Sequence, residues 1–236
     1  MRKIVLIHGA WHNGRCWNEV SRLLKKAGYE VEALTLPGNG EGDSKNVSYE
    51  DYVNYIAKSL NAQKNKVIVV AHSSAGHIVQ MAVPKAKGKV EKIIFNNEWI
   101  LPDGKSQFDF VPEEIKSNMR EQAKKGNGAI PIDPGFVRGM LATQADDEQF
   151  NKLMDILVTQ PLVIMETPVD AKAFNELSIP MVLLYCTRDM SVPPGAFLEM
   201  FKSLGDYPVV EVECDHEGLF TNPEAYTNGL VKCIEI

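Results

Sequence analysis

The chain has 236 residues, 44% hydrophobic and 24% charged, with 25 basic against 31 acidic side chains and a net charge of −6. A chain of this size buries about three-quarters of its unfolded surface, and its acidity argues against nucleic acid as a partner, whose binders carry a basic footprint. No apolar run nears the ~18 residues of a membrane span, Arg2 and Lys3 lead into a stretch too short for a secretory signal, and Cys16, Cys186, Cys214 and Cys233 lack CxxC spacing, which together predict a reduced, cytoplasmic protein.

In chain order, the first predicted strand is Lys3–Ile7, followed by His8-Gly9-Ala10-Trp11. Trp17, Val20, Leu23, Leu24 and Ala27 then form a helical stripe closed by Gly28. A strand at Glu30–Leu34 precedes a helix whose apolar positions run from Tyr49 to Leu60, with Ser48 as its N-cap. Further strands follow at Lys66–Ala71, Glu91–Phe95, Pro180–Cys186 and Pro208–Glu213. Several are apolar on both faces, as in a parallel sheet covered on both sides. The alternation implies right-handed crossovers and an α/β fold with a mostly parallel, doubly wound sheet of about six strands.

The alternation breaks once. Residues 102–178 show no strand pattern but do show helix-like stretches at Glu113–Lys125, Gly135–Leu141 and Asp147–Leu157. A structureless loop of that length is improbable. The expected organisation is one domain: residues 1–101 and 179–236 as the core, and residues 102–178 as a helical cap inserted after the fourth predicted strand.

The most informative stretch is Lys66-Val-Ile-Val-Val-Ala-His-Ser-Ser-Ala-Gly-His77. A serine between a buried strand and a helix has the context of a nucleophile elbow. The usual G-x-S-x-G reads here Ala71-His-Ser73-Ser-Ala75, with Ser74 as a lesser rival nucleophile and helix capping as the bland alternative. The loop after the first strand can bring the Ala10 N–H alongside that of Ser74, a pair of donors suited to an oxyanion. Asp189 follows one strand and His216 the last, so Ser73, Asp189 and His216 stand in the chain order of an α/β-hydrolase triad. No His/Cys spacing suggests a metal, and Gly9 with Gly14 does not make the dinucleotide fingerprint, so no cofactor is expected.

These residues resemble the α/β-hydrolase superfamily, in particular its compact branch of salicylate-type methyl esterases, hydroxynitrile lyases and bacterial esterases. The resemblance rests on residues 5–12 with Cys16-Trp17, the elbow at 71–76, Trp-Ile-Leu-Pro-Asp-Gly-Lys-Ser (99–106), Thr-Gln-Pro-Leu (159–162), Cys-Thr-Arg-Asp-Met-Ser-Val-Pro (186–193) and Asp-His-Glu (215–217). It implies Ser73 as nucleophile, His216 as base, Asp189 as its orienter, and Ala10 and Ser74 as oxyanion donors. The lyase branch carries a lysine after the catalytic histidine and a threonine at the position of Gly9. Glu217 and Gly9 stand here instead, which disfavours lyase chemistry. Trp11, Glu98, Trp99 and Glu217 are candidate substrate contacts, and Glu98 is also a candidate substitute acid. The expected activity is hydrolysis of a small carboxylic ester or lactone by a monomer or homodimer. A receptor-like protein with little turnover, or a lyase, is the alternative.

Overall fold

Strand residues such as Ile4–Ile7 and Val67–Ala71 are buried on both sides of the backbone, so the sheet they form must be covered twice. The computed structural model, which describes residues 1–236, satisfies this with β1 (Lys3–Ile7), α1 (Asn18–Lys26), β2 (Glu30–Ala33), α2 (Tyr49–Asn61), β3 (Val67–His72), α3 (Ala75–Ala82) and β4 (Val90–Asn96). After an inserted segment holding α4 (Glu113–Lys125), β5 (Ala129–Ile130) and β6 (Gln160–Pro161), the alternation resumes with β7 (Met181–Cys186) and β8 (Val209–Val212). Ile4 and Leu6 pack with Trp17, Val20 and Leu24 around α1 and with Leu230 of the C-terminal helix Pro223–Glu235. Val5 and Ile7 point the other way, into the cluster of Tyr52, Val53 and Ile56 from α2 and Ile78 and Val79 from α3. Period-two alternation thus feeds two cores at once.

The six-stranded sheet has the order β2-β1-β3-β4-β7-β8, and every pairing in it is parallel. The chain moves outward from β1 to β2 and then returns to the other side of β1 to lay down β3. The carboxyl ends of β1 and β3 therefore flank a topological switch point, where open α/β sheets form a crevice. Local signals fix the flanking helices. Ser48 and Asp51 close a capping box at the start of α2, and Gly28, at φ +93°, lets the chain leave α1.

The inserted segment departs from the sequence reading in one respect. Residues 102–178 were expected to contain no strand, yet β5 and β6 pair antiparallel, Ala129 with Pro161 and Ile130 with Gln160. Two residues are too few to show a period. Phe108, Ile130, Met165 and Phe174 join the cluster that covers one face of the sheet, while Val137, Leu141, Ala142 and Leu153 form a small cluster of their own. No helix is long and apolar enough to cross a membrane.

Candidate active site

Ser73 is the first residue after β3 and sits at φ +57°, in the left-handed region that a side chain normally avoids. Ala71 and Ala75, at the positions where the usual motif has glycine, are not among the positive-φ residues, which is why alanine is accepted there. The turn depends instead on Gly9 and Gly76. A Cβ on Gly9 would lie 2.7 Å from Ser73 Cβ, and one on Gly76 would lie 2.5 Å from Glu98 Oε2. Ser74, the rival nucleophile, is buried and its hydroxyl donates to Gln107 Oε1 at 3.0 Å. The N–H of Ser73 is spent on Asn96 O at 3.2 Å, whereas those of Ala10 and Ser74 have no acceptor within the chain.

Asp189 and His216 approach from the loops after β7 and β8. His216 Nδ1–H donates to Asp189 Oδ2 at 2.6 Å, which leaves Nε2 without a partner in the chain. Asp189 is held from two further sides. Asn97 Nδ2 donates to Oδ2 at 2.6 Å, and Ser191 donates to Oδ1 through its N–H at 2.8 Å and its hydroxyl at 2.6 Å. Burial raises the Asp189 carboxyl, but the His216 charge and these hydrogen bonds outweigh it and bring it down to about 2. For His216, burial disfavours the charged form, yet the carboxylates of Asp189 and Glu217 raise its pKa above the ordinary value of 6.5. No hydrogen bond joins the Ser73 hydroxyl to His216, although both line one cavity of about 560 Å³.

Ala10, Trp11, Ser74, Trp99 and Glu217 line that same cavity. Glu98 does not. It is fully buried outside the lining, with Oε2 unpartnered. Burial pushes its carboxyl well above the ordinary carboxylate range. The assignment of Glu98 as a substrate contact is therefore corrected, and the carboxylate on His216 is Asp189 rather than Glu98. Two features went unseen in the sequence. One is Asn97, at φ +43°, which also ties β4 to β7 through Cys186: Nδ2 donates to its carbonyl at 3.1 Å and Oδ1 accepts its N–H at 2.9 Å. The other is His12, whose Nε2–H donates to Glu217 Oε2 at 3.1 Å and whose Nδ1–H donates to Ala10 O at 2.8 Å. Asn97 had only its place directly after β4 as a sequence signal, and His12, in the loop beyond β1, had none of its own.

The cavity's remaining walls come largely from the inserted segment, including Phe108, Ile115, Met119, Ile130, Phe136 and Met165, and no Lys or Arg lines it. No group of three or more His, Cys, Asp or Glu side chains could hold a metal ion. An apolar chamber with a few convergent polar groups at a sheet's carboxyl edge is a small-molecule site.

The sequence profile of the alpha/beta hydrolase family matches residues 4–228. The chain belongs to this family. Among its α/β-hydrolase relatives, methylesterase 1 of Arabidopsis thaliana is 25% identical over 250 residues, covering 97% of this chain and 94% of that protein. A carbendazim hydrolyzing esterase of Nocardioides sp. (strain SG-4G) is 23% identical, with 98% of both chains covered. An extracellular α/β-hydrolase from a Paenibacillus species superposes with a TM-score of 0.92 at 25% identity, covering 99% of both chains. These relatives and the fold make the chain an esterase-like α/β-hydrolase.

Proposed function

We propose that this α/β-hydrolase cleaves a small, uncharged carboxylic ester or lactone through an acyl-enzyme on Ser73. The observation that carries the reading is the Asp189–His216 pair with Nε2 left free, in one cavity with a serine held at φ +57°. His216 Nε2 takes the Ser73 proton as Oγ attacks the carbonyl carbon. The N–H groups of Ala10 and Ser74 receive the oxyanion, and Asp189 stabilises the imidazolium without taking its proton. The imidazolium then protonates the leaving alkoxide, and His216 next activates the water that clears the acyl group. The Ser73–His216 hydrogen bond forms on substrate binding, since catalytic hydrogen bonds often tighten only in the Michaelis complex.

The absence of Lys and Arg from the lining argues against an anionic substrate, and its apolar walls suit a substrate with an apolar body. Residues 102–178 act as the cap over the core of residues 1–101 and 179–236. A lyase of the kind that carries threonine at position 9 and lysine after the catalytic histidine is disfavoured, because Gly9 and Glu217 stand at those positions here.

The test is labelling with a fluorophosphonate, with the adduct mapped by mass spectrometry, followed by turnover of p-nitrophenyl esters of graded chain length. Adduct at Ser73, and turnover abolished in S73A, is the expected result. Labelling without turnover of any ester or lactone would favour a receptor-like protein instead. No labelling of a folded sample would remove Ser73 as the nucleophile.

A further inference from the structure

The Ala10 N–H sits in a loop that is not relaxed. Trp11, the next residue, is at φ +61°, a conformation that residues with a side chain adopt only when their surroundings impose it. The constraint comes from the inserted segment. Gln160 Oε1 accepts the Trp11 N–H at 3.0 Å, and the N–H of Val158 donates to Trp11 O at 2.8 Å. Gln160 is in turn held by α2 and by the loop after β2. Asn39 Nδ2 donates both to Gln160 Oε1 at 2.9 Å and to His12 O at 2.8 Å, and Gln160 Nε2 donates to the Tyr52 hydroxyl at 3.2 Å. Trp11 N–H can only donate and His12 O can only accept, so both amides have a single allowed orientation. Gln160, Asn39 and Tyr52 are all fully buried, and none lines the cavity.

We propose that Gln160, backed by Asn39, is a positioning residue for the oxyanion site: it clamps the Trp11 peptide so that the Ala10 N–H stays aimed at the reacting carbonyl. The Thr-Gln-Pro-Leu motif at 159–162 thereby gains a physical role, and the inserted segment sets the rate of the chemical step as well as enclosing substrate. The inference rests on the hydrolase reading above. A buried polar network in which every member is satisfied is rigid, and rigidity is what a preorganised donor needs. Losing one oxyanion donor costs about 10²–10³ in rate, and an ångström of misplacement about 10².

The experiment compares wild type with Q160M, which removes the acceptor at similar volume. With an ester that wild type turns over, Q160M lowers kcat about 10²-fold while KM stays within about threefold. Inhibition by a trifluoromethyl ketone matched to that ester, which forms an oxyanion on Ser73, weakens in parallel. Inhibition by the matching alcohol, which does not, is unchanged. Amide hydrogen exchange over residues 8–13 becomes faster. Should Q160M fail to fold, N39A is read the same way, with a loss of about tenfold. A kcat within threefold of wild type, or equal weakening of ketone and alcohol, overturns the inference alone. A wild type that neither labels at Ser73 nor turns over any ester overturns the hydrolase reading and this inference with it.

Discussion

Two histidine–carboxylate pairs border one cavity, and their imidazoles differ in a single respect. His216 spends Nδ1 on Asp189 and keeps Nε2 free. His12 spends Nδ1 on Ala10 O and Nε2 on Glu217. Burial opposes the charged form of His12, but the Glu217 carboxylate raises its pKa; against the same burial His12 draws the Glu217 carboxyl down to about 2. His12 thus has no nitrogen to lend and braces the loop that carries Ala10. In the proposed mechanism His216 is the base because one of its nitrogens is left free. Residue type and a place in the cavity lining do not separate the two imidazoles, while the count of free nitrogens does.

The comparison can be broken most sharply at Asp189. D189N supplies the wrong hydrogen-bonding partner to His216 Nδ1, so kcat falls by about 10⁴; E98Q, outside the cavity, leaves kcat within about threefold. Steady-state kinetics decide it, and equal losses in the two variants would end the distinction between those carboxyls.

At the second pair the effect moves from rate to stability. E217Q leaves a buried histidine without its counter-ion and lowers the unfolding free energy by about 3 kcal/mol, measured by urea denaturation at pH 7, while kcat stays within about tenfold. Because the Glu217 pKa is lowered by folding, its share of stability is present above about pH 4.5 and is lost as pH falls toward 2. The raised His12 pKa works oppositely, its share being full below about pH 6.5 and lost as pH rises through the folded pKa. E217Q therefore differs most from wild type between those limits.

Asn97 offers an intermediate test, since N97A frees one side of Asp189 without removing it. A loss of 10- to about 10²-fold in kcat with KM nearly unchanged is expected. The smallest effect is in the pH profile. His216 must be neutral to act, and its pKa is raised, so the acid limb of kcat/KM has its midpoint above pH 6.5, with activity lost as pH falls through it. A midpoint at or below 6.5 would mean that burial outweighs the neighbouring carboxylates.

The contrast between the pairs also marks the limit of what sequence conveys. The six sheet strands were legible to within a residue at each end: the four central ones because burial on both faces leaves nearly continuous apolar runs such as Val67–Ala71, and the edge strands β2 and β8 from their short β-branched stretches. Ser73, Asp189 and His216 were legible as candidates because each lies in the loop that follows a predicted strand. The His12–Glu217 bridge joins positions 205 apart and the Asn97–Asp189 contact positions 92 apart, and neither leaves a local pattern. Glu98 misled for the complementary reason. Its strand-end position resembles that of a functional acid, but its side chain turns under α3, where the absent side chain of Gly76 makes room for it.

The closeness of Gly9 to Ser73 limits how this scaffold can be diversified. Any side chain at position 9 enters the space of Ser73 Cβ at 2.7 Å and of His72 O at 2.9 Å. Saturation of position 9 alone will return glycine as the functional solution. A library that seeks new chemistry from a residue there has to vary the elbow with it, because the two loops share one gap and must change as a unit.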